Sequence, residues 1–401
     1  MSLLDLLASS ECWEAFYEYK THLACPKDLA RELGAFISEK AYLPVCEAID
    51  SGEAFPLPRR AVISKLHSLK KRTVYIYPRR ENTVLKLLTF LLLRKYDGLF
   101  ADGLYSFRPG RSAKDAIRRL RRTPGLERMY SYKVDISNYF NSVPVTRLLP
   151  MLEETVGEDA PLLAFLERLL TEPAVLERGE PIIEEKGIMA GTPLSAFYAN
   201  LYLRDLDRLF AEEGILYARY SDDIIVFAPT REETEVCAAR IRGFLAGRGL
   251  RVNPAKECRS DPSQGFTFLG FSYRSGVIDI APASVDKLKQ KMRRKTRALK
   301  RWQKRNGLSG EKAARAFIRI FNRKLLESSS DSDLTWSYWY FSVIDTAKSL
   351  AVIDRYAQDC LRYLISDKRT KGRYGVRYAD LKRLGYQSLV HAYYEFGKET
   401  K

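Results

Sequence analysis

Two consecutive aspartates between two β-rich runs constrain this chain more than any other feature. Leu216 to Tyr220 and Ile224 to Phe227 favour strands, and Asp222 and Asp223 lie at the turn that joins them. In most proteins such a pair is simply a solvated turn. Like charges crowded into a turn repel each other, and a bound cation would reverse that cost. A further carboxylate on a neighbouring strand would distinguish a metal site from an ordinary turn.

Asp135 is the candidate for that further carboxylate. The run Met129 to Asp135 is typical of a strand and ends in the carboxylate, although a strand-ending cap is the alternative. Nucleotidyl transfer uses two divalent ions, and Mg²⁺ takes oxygen ligands while keeping several waters. Two or three carboxylates on rigid strands are therefore enough. We predict that Asp135, Asp222 and Asp223 are catalytic metal ligands for two Mg²⁺, with Mn²⁺ as an alternative ion.

The charge of the chain points to nucleic acid as its partner. The 401 residues carry a formal net charge of +17 and give a pI near 9.5. Cations that neutralise phosphates release counterions, which favours binding to nucleic acid. An anionic membrane surface is the weaker alternative. No apolar run is long enough to span a bilayer, and no signal peptide is present, so we expect no membrane partner and a cytoplasmic location. The six cysteines show no CxxC spacing, which indicates reduced thiols.

The order of the predicted elements favours an α+β fold. The pattern β-α-α-β-hairpin-α-β fits a split βαβ sheet of the RRM-like kind. Some segment predictions are specific enough to check against the structure: short helices through 1–70, a hairpin of 181–183 with 187–188, one helix from Ser195 to Phe210, and a strand at Leu250 to Val252.

A strongly basic helix is predicted after Pro282. Between Lys287 and Arg305 there are eleven Lys or Arg residues and no acid. A solvated helix is the alternative, but such a run of like charges would repel itself. We therefore predict contacts with a nucleic-acid backbone from one set of arginines: Arg293, Arg294, Arg297 and Arg301.

The motifs together resemble those of the reverse transcriptases, over about 72–273. Tyr220 to Asp223 is similar to the family's Tyr-x-Asp-Asp box. The bacterial branch that includes group II intron proteins, retrons and defence-associated enzymes resembles the chain most. Five further segments carry the likeness in family order: Tyr105 to Ser112, Asp135 to Val143, Gly187 to Leu203, Gly249 to Lys256, and Phe268 to Phe271.

The resemblance implies a right-hand polymerase with fingers, palm and an all-helical thumb. The corresponding divisions are an N-terminal helical extension at 1–70, fingers at 71–134 with part of 145–190, a palm at 135–280, and a basic thumb with C-terminal helices at 281–401. Within the palm, the resemblance adds the carbonyl of Ile136 to the metal ligands.

The resemblance also implies roles around the nucleotide. Phe140 would lie under the sugar and exclude a 2′-hydroxyl, unless it is a core residue. Lys71 and Arg72 would bind the triphosphate, with a solvated basic turn as the alternative. Lys256 would neutralise pyrophosphate, or be a solvated lysine. Three residues would shape the nucleotide site: Gly191, Pro193 and Ser195. Five others would contact nucleic acid: Arg108, Arg111 and the primer-grip residues Phe268, Leu269 and Gly270.

The function implied is an RNA-directed DNA polymerase that uses dNTPs and makes a DNA product. The motifs are most like those of the defence-associated enzymes, which implies a structured noncoding RNA as template. Ala190 stands where many relatives carry Gln, so the hydrogen bond from that Gln to the nucleotide is absent. The alternative is an RNA-binding, maturase-like protein of a group II intron or retron-type element. Template, primer type, host system, protein partners and oligomeric state all stay open.

Overall fold

The described part of the protein combines helices with three separate β-sheets, which confirms the predicted α+β class. Its chain forms two compact units. The first comprises Met1–Thr21 and Cys25–Gln264, and the second consists chiefly of the residues from Gly265 onward. The computed structural model describes residues 1–22, 25–64, 71–327 and 335–399.

Helices flank the strands of the first unit in chain order. They are α1 (Ser10–His22), α2 (Lys27–Ser38), α3 (Leu43–Asp50), α4 (Arg79–Lys95), α5 (Ala113–Arg122), α6 (Tyr139–Ser142), α7 (Val145–Val156), α8 (Ala160–Thr171), α9 (Ser195–Tyr202), α10 (Arg204–Glu212) and α11 (Arg231–Gly247). Its strands are β1 (Arg59–Ser64), β2 (Lys71–Ile76), β3 (Tyr130–Asp135), β4 (Ala174–Glu177), β5 (Glu180–Ile183), β6 (Leu216–Tyr220), β7 (Asp223–Ala228) and β8 (Cys258–Ser260).

The sheet that carries the predicted catalytic residues has the order β6-β7-β3-β8 and is antiparallel throughout. β7 is β-branched and aromatic over 224–227, and these residues are all buried. Helix α11 packs against β3 and β7, and α10 packs against β6. The predicted strands on either side of the aspartate turn are therefore confirmed.

The second sheet of this unit has the order β2-β1-β4-β5. Strand β1 corrects the prediction that 1–70 is helical throughout, because 59–64 pairs with β2 in antiparallel register; 65–70 lie outside the described residues. The predicted hairpin is also corrected. β4 pairs with β5 around Arg178 and Gly179, which both have positive φ, whereas 187–188 lie in a turn.

Two further segment predictions need correction. The predicted helix from Ser195 to Phe210 is broken at Leu203, which ends α9 and begins α10. The predicted strand near 250–252 reduces to one bridge between Val252 and Ile136.

The second unit contains a three-stranded sheet followed by helices. The order β11-β10-β9 is a meander of consecutive antiparallel hairpins. Its elements are β9 (Phe266–Phe268), β10 (Phe271–Arg274), β11 (Val277–Ile280), α12 (Pro282–Arg305), α13 (Gly310–Leu325), α14 (Trp336–Phe341), α15 (Lys348–Ser366), α16 (Tyr378–Arg383) and α17 (Leu389–Glu399). The basic segment is thus a helix, as predicted. The division into fingers, palm and thumb stays a prediction.

Among the described residues, no helix has both the length and the apolar character that crossing a membrane requires.

Candidate active site

The three predicted catalytic carboxylates lie at one end of the β6-β7-β3-β8 sheet. Pairing of β3 with β7 places Asp135 directly opposite Asp223. Asp222 is in the two-residue turn before β7, and its carbonyl accepts a hydrogen bond of 3.1 Å from the Ile136 N–H. Asp135 is buried, and the other two are half-buried. The fold therefore brings together residues that are 88 positions apart in the chain.

The turn before Asp222 has an unusual backbone. Ser221 has φ of +59°, a conformation that costs free energy for a residue with a side chain. Its N–H donates to Ser106 Oγ at 2.8 Å, and its carbonyl accepts from Arg219 Nη1 at 3.3 Å. Side chains from outside the turn therefore hold it in this conformation.

Arg219 belongs to a fully buried ion pair beneath the turn. Its Nε and Nη2 atoms lie 2.7 and 2.5 Å from the two carboxylate oxygens of Asp207. Tyr217 donates a third hydrogen bond to Asp207, at 3.0 Å. Burial alone would lower the pKa of Arg219, but Asp207 outweighs it and raises the pKa. The guanidinium therefore stays charged and rigidly placed.

Asn200 connects this pair to the loop that contains Ser106. The Asn200 carbonyl accepts from Arg219 Nη2 at 3.3 Å, its Nδ2 donates to the Ser106 carbonyl at 2.8 Å, and its Oδ1 accepts from Ser106 Oγ at 3.2 Å. The sequence pattern predicted no role for Asn200, Asp207 or Arg219. The available signal was a charged residue inside the apolar strand Leu216–Tyr220, which requires a buried partner.

The electrostatics of the site show a concentration of negative charge. Burial, together with Asp135 and then Asp223, raises the pKa of Asp222 from 3.8 to about 6. Lys256 Nζ hydrogen-bonds to Asp135 Oδ2, and Asn253 Nδ2 donates to Oδ1 at 3.2 Å. Burial lowers the pKa of Lys256, but Asp135 raises it overall. One lysine therefore offsets only part of the charge of three carboxylates.

These residues fit a hard divalent ion that is shared with a substrate. Within the described ranges, no group of three or more His, Cys, Asp or Glu side chains is arranged to hold a metal by itself. Mg²⁺ does not need such a cage, because it binds through one or two carboxylates, waters and substrate phosphates. Burial and then the charge of Asp135 raise the pKa of Asp222, and a bound cation would favour its charged form. Direct ligation by Asp223 and by the Ile136 carbonyl stays a prediction.

A glycine-bearing loop joins the residues predicted to bind the nucleotide. The N–H of Ile188 donates to the Phe140 carbonyl at 2.8 Å, and the N–H of Ala190 donates to Asn141 Oδ1 at 2.9 Å. The Ala190 carbonyl accepts a hydrogen bond of 2.8 Å from the N–H of Tyr75 on β2. Gly191 has φ of +102°, and a Cβ there would lie 3.2 Å from the Tyr75 carbonyl oxygen.

The remaining predicted residues of the loop help to shape it. Pro193 is half-buried. Ser195 is buried, and its Oγ donates to the Thr192 carbonyl at 2.6 Å. The Ser195 hydroxyl therefore stabilises the start of α9.

Arg72 and Phe140 face each other near this loop. The Arg72 guanidinium lies 5.8 Å from the centre of the Phe140 ring, and Phe107 lies against the same ring at 6.4 Å. Phe140 is half-buried, so part of its surface is available to a ligand. Lys71 precedes Arg72 on β2 and therefore points to the opposite face of the strand, which makes it the weaker candidate for the triphosphate.

Two arginines predicted to bind nucleic acid are used inside the first unit. Arg108 is buried and forms a bidentate ion pair with Asp97, with distances of 2.7 and 3.0 Å. Its Nη1 also donates to the Ala101 carbonyl at 2.8 Å. Arg108 therefore stabilises the loop, and its contact with nucleic acid stays a prediction. Arg111 bonds to Asp102 at 2.7 Å but remains partly exposed, so its contact stays a prediction.

The predicted primer-grip residues lie in the second unit. Phe268 is buried, and its contact with nucleic acid stays a prediction. Leu269 and Gly270 form the tight turn between β9 and β10, with φ of +50° and +88°. A Cβ on Gly270 would lie 3.1 Å from the Tyr340 hydroxyl. The four predicted arginines of α12 are all exposed: Arg293, Arg294, Arg297 and Arg301.

Fold and site together have the arrangement expected of a nucleotidyl-transfer centre. A carboxylate on a central strand faces a hairpin with two more carboxylates, and a glycine-bearing loop packs beside them. The sequence model described as "Reverse transcriptase (RNA-dependent DNA polymerase)" matches residues 72–273, which is half of the chain. The protein belongs to the reverse transcriptase family.

Curated relatives include intron-encoded proteins. The chain is 24% identical over 208 residues to "Group II intron-encoded protein LtrA" of Lactococcus lactis subsp. cremoris, a match that covers 52% of this chain and 34% of the relative. It is 27% identical over 167 residues to an "Uncharacterized 91 kDa protein in cob intron" of Schizosaccharomyces pombe, covering 41% of this chain and 20% of the relative. The matched region therefore spans a third or less of these relatives.

Two solved telomerase structures are similar at low identity. Apo telomerase from Candida tropicalis gives a TM-score of 0.48 at 12% identity, covering 84% of this chain and 69% of that one. Telomerase from Candida albicans in complex with a fragment of telomeric RNA gives a TM-score of 0.46 at 12% identity. This match covers 89% of this chain and 71% of the telomerase chain.

Proposed function

We propose that the protein is an RNA-directed DNA polymerase that extends a primer with dNTPs on an RNA template. One observation carries the proposal: Asp135 lies opposite Asp223 on paired strands, and Asp222 stands in a turn held by buried side chains. Membership of the reverse transcriptase family supports the same reaction.

The chain's own residues have distinct parts in this proposal. Asp135 and Asp222 would hold the divalent ions, Mg²⁺ or Mn²⁺. Bound there, the ions would stabilise charge on the attacking oxygen and the leaving pyrophosphate. Lys256 holds the Asp135 carboxylate in place through a hydrogen bond. Arg72 and Phe140 form one surface, on which a triphosphate and its sugar would lie.

Primer extension tests the reaction. The full chain, a primed RNA template, dNTPs and either Mg²⁺ or Mn²⁺ should yield elongated DNA. Asp135→Asn and Asp222→Asn should each reduce the rate at least about a hundredfold, because each removes a carboxylate that would hold the ions and so weakens the charge stabilisation that they supply. Glu158→Gln, which alters an exposed carboxylate, is the matched control. Equal extension by Asp222→Asn and the wild type would refute the site assignment.

Sugar selection tests the proposed place of Phe140. If its ring excludes the 2′-hydroxyl, Phe140→Ala should increase rNTP incorporation relative to dNTP. Phe107→Ala removes a neighbouring ring and serves as the comparison. Unchanged selectivity in Phe140→Ala would make Phe140 a packing residue.

We further propose that the template is a structured noncoding RNA and that the host system is bacterial antiphage defence. The likeness of the motifs to those of the defence-associated enzymes supports this proposal. Sequencing of the nucleic acid that co-purifies with the full chain should recover one recurrent RNA together with DNA complementary to it. Recovery of unrelated cellular RNA in proportion to its abundance would contradict a dedicated template.

A maturase-like role in RNA binding is the second candidate. The similarity to LtrA, whose name describes a group II intron-encoded protein, favours it. The variant Asp222→Asn distinguishes the two roles, because RNA binding needs no catalytic carboxylate. Polymerisation predicts loss of function in this variant, whereas a maturase-like role predicts intact binding and function.

A further inference from the structure

The second unit contains a strongly basic cavity between α12 and α15. Its volume is about 750 Å³, within the range of cavities that bind ligands. Twelve residues line it, of which seven are Lys or Arg and one, Asp359, is a carboxylate. This excess of positive charge destabilises the folded unit, because like charges repel in a concave space.

The cations line the cavity from two segments of the chain. Arg293, Arg297 and Arg301 follow one another at intervals of four residues along α12, about 6 Å of helix rise each. Arg369 and Arg373 come from the segment after α15. Because five of the seven cations are arginines, the lining can bind phosphate oxygens through paired N–H donors.

Neighbouring acids offset only part of this charge. Asp359 lies 3.5 Å from Arg373 and also pairs with Arg362 outside the lining at 3.6 Å. Lys300 pairs with Asp367 at 2.8 Å. Asp359 and Asp367 thus offset two of the seven lining cations, and the lining keeps a net positive charge.

Two tyrosines add aromatic surface to the lining. Lys300 Nζ and the Arg369 guanidinium lie 5.6 and 5.5 Å from the centre of the Tyr363 ring. Tyr356 lies seven residues earlier on α15 and is half-buried in the same lining. Cations beside aromatic rings are the combination that binds single strands, where the phosphates meet the cations and the bases stack.

We propose that this cavity binds the sugar–phosphate backbone of an unpaired stretch of RNA. The volume of the cavity is comparable to that of one or two nucleotides. The arginine content and the tyrosines favour a single strand over an acidic peptide. The identity of the strand as RNA rests on the proposed function, whereas the preference for single-stranded phosphates rests on the cavity alone.

Fluorescence anisotropy of labelled oligonucleotides tests the proposal. The full chain is titrated with a single-stranded RNA, an RNA–DNA duplex of equal length and polyglutamate, over a range of NaCl. The pocket variant is Lys304→Gln with Arg369→Gln. The matched control is Arg315→Gln with Arg319→Gln, which removes the same charge from an exposed face of α13. All four positions are exposed, and circular dichroism checks that each variant folds.

The pocket variant should bind the single strand about tenfold more weakly at 0.1 M NaCl. The slope of log K against log salt should decrease in magnitude by about 1.4, at 0.7 for each lost phosphate contact. Equal losses in both variants, or none in either, would overturn the proposal. A larger loss for polyglutamate would assign the cavity to an acidic peptide, and a larger loss for the duplex would assign it to a duplex. Absence of primer extension by the wild type refutes the proposed polymerase but leaves this result unaffected.

Discussion

Asp222 gives up its proton less readily than a carboxyl group in water. Because its folded-state pKa lies near 6, above the ordinary 3.8, the folded protein holds this proton more tightly than the unfolded chain does. The associated stability is complete below about pH 4 and is lost as pH rises through about 6. At neutral pH, without a divalent ion, the site therefore reduces the stability of the fold. Sites that bind charge commonly carry such a cost.

Neutralising Asp222 should stabilise the metal-free protein. In EDTA at pH 7.5, Asp222→Asn should raise the free energy of unfolding by about 1–3 kcal/mol, since one pKa unit is worth about 1.4 kcal/mol. Mg²⁺ should raise Tm in the wild type but much less in the variant. Thermal denaturation across pH 4–8 measures both effects. Glu158→Gln should behave as the wild type, and no gain of stability in Asp222→Asn would contradict the charge argument.

The Arg219–Asp207 pair should be expensive to break. Arg219→Met leaves the buried Asp207 carboxylate without its partner, which should cost about 3–5 kcal/mol. Arg219→Met with Asp207→Asn should cost less than the sum of the two single changes, because the groups interact directly. Urea unfolding measures these differences.

An exposed ion pair provides the control for this comparison. Arg240 and Glu213 are both partly exposed, so Arg240→Met should change stability much less than Arg219→Met. Similar costs for the two variants would show that the buried pair does not hold the turn.

At the scale of elements, the nucleotide site depends on a close approach between a loop and the chain that follows β3. Gly187 has φ of +53°, and a Cβ there would lie 2.6 Å from the Phe140 carbonyl oxygen. Only glycine permits both the conformation and the contact. The same loop then reaches β2 through Ala190, so one short segment connects two sheets.

Gly187→Ala should therefore displace this loop. We expect a loss of about 1–3 kcal/mol in stability and a raised KM for dNTPs, because Phe140 would be displaced with the loop. Gly243→Ala is the matched change, since no atom lies within 4 Å of its added Cβ and its position is helical. That control should be neutral or stabilising by up to about 1 kcal/mol. Wild-type kinetics in Gly187→Ala would show that the loop tolerates the shift.

At the scale of the whole molecule, the chain is organised as two compact units. The first contains the carboxylates, and the second begins at Gly265, before the boundary near 280 that the change in composition suggests. Units with their own cores often unfold separately, so a single two-state transition is not expected.

Calorimetry should resolve more than one unfolding transition in the full chain. Arg219→Met should lower the temperature of the transition that belongs to the first unit and leave the other unchanged, since the buried pair lies wholly within that unit. One cooperative transition, shifted as a whole by Arg219→Met, would show that the two units unfold together.

Local patterns predicted the elements that local physics determines. β-rich runs indicated β3, β6 and β7, and the basic run after Pro282 indicated α12. The aspartate turn was recognisable for the same reason, because turn chemistry depends on neighbouring residues.

Contacts between residues that are distant in the chain were determined only by the tertiary structure. Sequence alone left 59–64 among the helices, although that segment pairs with β2 and also lies parallel to β4. It assigned Arg108 to nucleic acid, whereas folding places Asp97 against it. It also assigned no role to Asn200, Asp207 or Arg219. The physical reason is that a polar side chain is recognised by what it contacts, and packing across many positions selects that contact. Sequence thus determined which carboxylates are the catalytic candidates, and the fold decided what holds them in place.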